Sequence, residues 1–101
     1  MIHALKILPD YFRAVREGKK RFELRRNDRY FQEGDYLALN EWDGQHYTGR
    51  TELAEVTYLL NPNEAMTCAS GFVVMSIERA GAYDSPAESR PADADGPRKE
   101  G

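Results

Sequence analysis

The segment Gly18–Arg25 (GKKRFELR) restricts the fold most strongly, because it joins a turn signal to the pattern of a strand. Glycine readily adopts the left-handed backbone conformation that ends many helices, so Gly18 predicts a helix end. The apolar residues that follow, Phe22 and Leu24, fall on one strand face, and the charged residues between them fall on the other. We therefore expect a helix followed by a strand whose apolar face packs against a core and whose charged face stays open.

The rest of the chain predicts short elements separated by turns. Pro9 suits the first turn of a helix, where an N–H group would have no partner, and Asp43-Gly44 is a hairpin signal. The predicted elements are a helix over Pro9–Glu17 and strands over Ile2–Leu8, Arg21–Arg26, Tyr36–Trp42, Tyr47–Leu60 and Phe72–Glu78. About five strands with one helix between the first two predict an α+β fold, a small mixed β-barrel.

The sequence also predicts how the two faces of the last two strands are arranged. Ala54, Val56, Tyr58 and Leu60 alternate, which predicts that all four lie on one face. The last strand is apolar on both faces, which is typical of a strand covered on both sides.

The final stretch, Ala80–Gly101, predicts a tail outside the domain. Tyr83 is its only large apolar residue, and Ala, Pro, Gly and acidic residues make up most of the rest. Burying so little apolar surface does not offset the entropy lost on ordering, so we expect residues 80–101 to be disordered. The chain then has one folded domain, residues 1–79.

Charge is unevenly distributed along the chain. Residues 1–34 contain nine Lys and Arg against five Asp and Glu, giving +4, whereas residues 35–101 contain five against twelve, giving -7. A chain of this kind is poorly suited to coating nucleic acid indiscriminately, but its basic region can form a local anion-binding patch.

The remaining composition narrows the class of protein. Cys68 is the only cysteine, which excludes an internal disulfide, and the only histidines, His3 and His46, are far apart in sequence. No apolar run approaches the roughly 18 residues needed to cross a bilayer. We expect a cytoplasmic monomer with no metal and no cofactor.

The spacing G-x-K-x-x-E-x-R from Gly18 to Arg25 resembles the signature of ASCH domains, small β-barrels related to the PUA fold and mostly regarded as RNA-binding modules. The resemblance covers about residues 3–78. Within that superfamily the chain is similar to a branch of short bacterial and phage proteins of unassigned function, which carry similar stretches at Arg25–Arg29, Glu41-Trp42 and Tyr47–Arg50. The resemblance implies a PUA-like barrel that binds RNA or a nucleotide.

The residue types agree with such a ligand, because basic side chains bind phosphate oxygens and aromatic rings stack on unpaired bases. The candidate nucleic-acid-binding residues are Lys19, Lys20, Glu23, Arg25, Arg26, Arg29, Trp42, Tyr47 and Arg50. We expect Trp42 and Tyr47 to form a stacking wall if their hairpin leans over the basic cleft. The alternative is that these rings belong to the core.

Glu23 has two interpretations, because a carboxylate among cations repels phosphate unless it is paired or serves another purpose. In the first, it forms an ion pair with Arg25 or Lys20 that shapes the turn, worth roughly 0–1 kcal/mol if exposed. In the second, it accepts hydrogen bonds from a base, while Lys20 and Arg25 hold the phosphate or carbonyl of the ligand.

Two other function classes remain open. Some ASCH domains that this chain resembles are small amidohydrolases of acetylated cytidine, in which a lysine and a threonine of the signature act with a glutamate from elsewhere. The resemblance makes Lys20 and Glu23 candidate catalytic residues, but Glu23 replaces the threonine and the helical insertion that carries the distant glutamate is missing. Thr48 or Thr51 would have to lie beside Lys20 to replace that hydroxyl. A protein-interaction module with an acidic tail is the third class.

Overall fold

The computed structural model of the chain describes residues 1–60 and 71–85. Its elements, in chain order, are β1 (Ile2–Ile7), α1 (Pro9–Arg16), β2 (Phe22–Arg26), β3 (Tyr36–Trp42), β4 (Tyr47–Leu60) and β5 (Phe72–Asp84). The five strands form one sheet in the order β1-β3-β4-β5-β2, in which β1 and β3 are parallel and the other neighbours antiparallel. The sheet forms a half-barrel with one short helix. The prediction of a small α+β barrel-like fold with a helix after the first strand is confirmed.

Helix α1 packs against β3 and β4 and ends where the sequence predicts. Pro9 occupies the first turn, and Phe12 and Val15 on one side of the helix are buried. Gly18 has a φ of 80°, and its N–H group donates to the carbonyl of Val15 at 3.0 Å. The glycine thus provides the left-handed residue that ends the helix and turns the chain toward β2.

The core lies between the sheet and α1, and its strands contribute alternate residues to it. Its buried apolar side chains are Leu5, Ile7, Phe12, Val15, Phe31, Leu37, Leu39, Ala54, Val56, Val73, Met75 and Ile77. The alternation is regular in β3, where every second residue is buried.

Strand β2 has the opposite orientation from the one expected. Phe22 and Leu24, which were expected to pack, are about half exposed, whereas Glu23 between them is buried. Burying the charged face is tolerable because Glu23 accepts hydrogen bonds from two basic side chains, Lys20 and Arg25. The expectation of an inward apolar face and an open charged face is therefore wrong.

The expected face of β4 is also wrong beyond Val56. The register between β4 and β5 shifts between Val56 and Tyr58, after which Leu59 packs against the core and Tyr58 is exposed. A bulge adds one residue to a strand, so the following side chains move to the opposite face.

The burial of strand β5 differs from the prediction that both of its faces are covered. Val73, Met75 and Ile77 are buried while Ser76 and Glu78 are exposed. One face of the strand is therefore covered along this stretch, rather than both.

Strand β5 also continues to Asp84, so the predicted domain boundary after residue 79 lies inside a strand. Residues 81–84 pair with residues 50–53 of β4, and Arg16 donates to the Asp84 carboxylate at 2.8 Å. Backbone pairing with a neighbouring strand does not require large apolar side chains, which is why composition missed this segment. The expected disorder of the tail beyond it lies outside the described residues.

Candidate functional site

Strands β1 and β2 lie at opposite ends of the strand order, so each has an edge that faces no neighbouring strand of the sheet. Arginine side chains join these two edges. Arg25 of β2 donates from Nη2 to the carbonyl of Lys6 at 2.6 Å, and Arg29 in the following loop donates from Nη1 to the carbonyl of Ala4 at 2.7 Å. We call this junction the seam. Closure by side chains leaves more space between two strands than a ladder of backbone hydrogen bonds does.

An open cleft of about 450 Å³ lies at the seam. The cleft, which we call the seam cleft, is lined by Lys6–Leu8, Tyr11, Lys20 and Phe22–Arg25. Four of these lining residues, Leu8, Tyr11, Phe22 and Leu24, are large apolar or aromatic residues and about half exposed. Apolar walls with a few convergent polar groups are typical of a ligand site.

The buried carboxylate of Glu23 is the polar centre of the seam cleft. Its Oε2 accepts from Arg25 Nε at 2.9 Å, and its Oε1 accepts from Lys20 Nζ. The two ion pairs named as alternatives from the sequence are therefore formed together, and the three side chains carry a formal charge of +1. A carboxylate oxygen has two lone pairs, so these contacts do not exhaust what Glu23 can accept.

Lys20 is held between polar and aromatic groups. Its Nζ also donates to the carbonyl of Phe22 at 2.8 Å and lies 4.8 Å from the centre of the Phe22 ring and 6.0 Å from that of Tyr11. Attraction between the ammonium group and the ring faces adds to the hydrogen bonds in fixing the lysine within the cleft.

Trp42 and Tyr47 contact each other edge to face, with ring centroids 4.9 Å apart. Both rings are partly buried, and Lys6 Nζ lies 4.1 Å from the Trp42 ring and 5.9 Å from that of Tyr47. Lys6 lines the seam cleft and contacts both rings, but the rings themselves are absent from the lining.

Arg50 lies at a different cavity, of about 310 Å³, together with Tyr47 and Thr51. Arg50 Nε and the Thr48 hydroxyl both donate to Oε1 of the buried Glu41, at 2.7 and 2.6 Å. Thr51 donates to Asn40 at 2.6 Å. Both hydroxyls thus bond to residues of β3, and neither threonine lines the seam cleft.

The other predicted basic residues spread around the seam. Lys19 is exposed and lies 3.3 Å from Glu17, and Arg26 stacks over Phe72 at 4.9 Å. Arg29 lies along the seam, as described above. The structure thus brings Lys20, Glu23 and Arg25 into one cleft and places the remaining candidates outside its lining.

The candidate residues named from the sequence omit six of the nine that line the cleft, among them the polar and aromatic side chains of Lys6 and Tyr11. Lys6 is a charged residue between the buried Leu5 and Ile7, so alternation alone marks it as facing away from the core. Tyr11 follows β1 closely in the first turn of α1, which places it beside the end of that strand. No spacing rule connects either residue to Lys20.

A second buried charge cluster was also missed. Glu52 is fully buried and accepts from Arg16 Nε and Arg79 Nε, both at 2.6 Å. Arg16 also binds Asp84, and hydrogen bonds to Asp84 first and Glu52 second raise the pKa of Arg16 further above its usual range. The same hydrogen bond from Arg16 lowers the pKa of Asp84. This cluster joins α1, β4 and β5.

Within residues 1–60 and 71–85, no group of three or more His, Cys, Asp and Glu side chains is arranged to hold a metal ion. The one helix in the same part of the chain is too short to cross a membrane.

Comparison with known proteins places the chain in a family. Residues 2–77 match the family described as "Domain of unknown function (DUF3850)", and because this match covers more than half of the chain, the chain belongs to that family. The chain is also similar to the "Uncharacterized 12.9 kDa protein in GpA 3'region" of Escherichia phage P2, with 46% identity over 56 residues. That alignment covers 55% of this chain and 51% of the phage protein, so the chain spans about half the length of this relative.

Proposed function

We propose that this member of the DUF3850 family is a module that binds RNA or a nucleotide in the seam cleft, with Glu23 as the group that recognises the base. The observation that carries the proposal is the buried Glu23 carboxylate, held between Lys20 and Arg25 beside an open cleft. A buried ion pair adds little net stability compared with apolar residues of similar size. A charged cluster of this kind at an open cleft is therefore better explained by a ligand than by folding.

The chemistry of the cleft matches the parts of a nucleotide. Lys20 and Arg25 have several N–H donors, and those not used on Glu23 and the backbone are suited to phosphate or carbonyl oxygens. The exposed rings of Tyr11 and Phe22 offer faces on which a base stacks. The remaining lone pairs of Glu23 accept from an exocyclic amine or a ring N–H of that base.

The resemblance of Gly18–Arg25 to the ASCH signature supports RNA as the ligand class. We infer on the same basis that the half-barrel is related to the PUA-like fold, and we further propose that the protein acts as a cytoplasmic monomer. The amidohydrolase alternative has less support, because Thr48 and Thr51 bond to Glu41 and Asn40 rather than lining the seam cleft.

The test of phosphate binding compares two neighbouring lysines. Lys20 lines the cleft and Lys19 is exposed outside it, so Lys20→Ala and Lys19→Ala remove the same charge from different places. We expect Lys20→Ala to weaken binding to every single-stranded RNA and to reduce the log–log salt slope by about 0.7. The control Lys19→Ala should leave both nearly unchanged, as measured by titration of homopolymer RNAs at several salt concentrations. Equal effects of the two variants would place phosphate binding outside the cleft.

The test of base recognition uses Glu23→Gln in the same titrations. A carboxylate that accepts from a base releases no counterion, so this variant should change the preference among homopolymers and keep the salt slope. If Glu23 instead serves only to pair with Lys20 and Arg25, its neutralisation frees cations and tightens binding to all RNAs alike. Uniform tightening would remove Glu23 from the recognition site.

A further inference from the structure

The loop between β2 and β3 contains the one described residue other than glycine with a positive φ. Tyr30 has a φ of 52°, a left-handed conformation that is costly for a bulky side chain. Its side chain is also 82% exposed, so burial of the ring does not offset that cost. Strain at an exposed aromatic residue is characteristic of functional positions.

The residues around Tyr30 hold it in this conformation. Phe31 is buried and contacts the His3 ring edge to face at 4.7 Å. The N–H of Phe31 donates to the side chain of Asn27 at 3.3 Å, and the N–H of Asn27 donates to the carbonyl of Gly71 at 2.6 Å. These contacts hold the loop at its start, through Asn27, and directly after Tyr30, through Phe31. The exposed Tyr30 ring is therefore attached to a backbone whose position is fixed on both sides.

Arg29, next to Tyr30, continues the line of cations that begins in the seam cleft. Arg25 and Arg29 bind the carbonyls of Lys6 and Ala4, which are two residues apart on β1 and hence separated by about 7 Å. This spacing is comparable to that of successive phosphates along an extended polynucleotide strand. The side chain of Arg29 is 46% exposed, and its hydrogen bond to the carbonyl of Ala4 leaves other guanidinium N–H groups for a ligand.

We propose that Arg29 and Tyr30 form a second nucleotide subsite, so that the ligand of the seam is a single-stranded polynucleotide rather than a free mononucleotide. Arg29 binds the phosphate next to the one held at Arg25, and the Tyr30 ring stacks on the neighbouring base. This inference rests on the proposed function of the seam cleft. It adds the path of the strand from Arg25 to Arg29 along the seam and a minimum ligand length of two nucleotides.

The test compares a mononucleotide with a tetranucleotide of the same base. We expect the unaltered protein to bind the tetranucleotide more tightly, and Tyr30→Ala to weaken tetranucleotide binding by roughly 5- to 100-fold while leaving mononucleotide binding unchanged. Tyr30→Phe keeps the ring and should bind both probes as the unaltered protein does.

Tyr30→Gly separates the ring from the backbone strain. Glycine tolerates a positive φ, so this variant should melt at or above the temperature of the unaltered protein and still lose the advantage of the tetranucleotide. A tetranucleotide that binds no more tightly than the mononucleotide, or equal affinities of Tyr30→Ala and Tyr30→Phe, would overturn this inference and leave the cleft proposal intact. Failure of both probes to bind would overturn both proposals.

Discussion

Among the residues that the structure describes, three glutamate side chains, Glu23, Glu41 and Glu52, are buried, and each accepts a hydrogen bond from at least one arginine. In a sequence, a glutamate among basic residues usually indicates a solvated charged face. In this half-barrel the carboxylates are buried and the arginines are partly exposed, so each ion pair lies at the boundary between core and solvent. The outer cations keep N–H groups available at the surface, which agrees with the proposed binding of a ligand that carries phosphate.

At Glu52 this arrangement predicts a stability effect that is separate from the seam cleft. Glu52→Gln keeps the shape of the side chain but removes the charge that Arg16 and Arg79 share, and we expect it to lower the free energy of unfolding by about 1–3 kcal/mol. Glu17→Gln, which changes an exposed carboxylate paired with Lys19, should change it by about 1 kcal/mol or less. Urea denaturation of both variants measures the difference, and equal losses would show that the Glu52 cluster does not stabilise the fold.

At the scale of elements, the second half of β5 shows how pairing orders a segment that composition marks as unstructured. Residues 81–84 are exposed, yet they pair with residues 50–53 of β4, and Asp84 binds Arg16 of α1 at 2.8 Å. The segment thus ties the start of β4 to the helix. Its contribution comes from backbone hydrogen bonds and an ion pair rather than from the core.

Truncation tests this contribution. A chain that ends after Arg79 loses the pairing of residues 81–84 and the contact between Arg16 and Asp84, whereas a chain that ends after Ser85 keeps both. We expect the shorter chain to melt at least 4–8 °C lower than the longer one, the shift that about 1 kcal/mol produces in a domain of this size. Melting curves by circular dichroism measure it. Coincident curves would restore the domain boundary at residue 79.

Across the whole molecule, a buried hydrogen bond joins the beginning of the chain to the turn before β3. His3 Nε2 lies 2.8 Å from Asp35 Oδ2, which also accepts from the N–H of Gln32 at 3.0 Å. The hydrogen bond from His3 is the largest cause that lowers the pKa of Asp35, followed by the one from Gln32. Because the pKa of Asp35 is lower in the folded state, its contribution to stability is present above about pH 4 and is lost as the pH falls through the lowered value.

The lowered pKa of Asp35 in the folded state predicts how the stability of the protein depends on acid pH. Asp35→Asn should lower the free energy of unfolding by about 1–3 kcal/mol near pH 7, and its difference from the unaltered protein should shrink as the pH falls below about 4. Asp28→Asn, at an exposed position in the loop after β2, should show a small difference throughout. Urea denaturation across this pH range provides the comparison. A difference for Asp35→Asn that grows in acid would contradict the assignment.

Much of the local structure could be predicted from the sequence. Gly18 ends the helix, Pro9 begins it, and the strand Tyr36–Trp42 has the predicted bounds. These features depend on conformational preferences of single residues and on apolar alternation, which act over a few neighbours. The site was predicted in part, since Lys20, Glu23 and Arg25 do meet at one cleft, but Lys6 and Tyr11 come from elements whose position depends on the fold.

The sequence by itself determined that a helix follows the first strand, where β3 lies, and that β2 has one apolar and one charged face. Only the tertiary structure decided which of those faces is buried. The alternation of a strand has a period of two, so it separates the faces without naming the inner one. In this protein the pairing of β2 with β5 turns Glu23 inward, and Lys20 from the helix end and Arg25 beside it supply the charges that make its burial tolerable. Phe22 and Leu24 are thereby left exposed in the lining of the seam cleft instead of packing in the core.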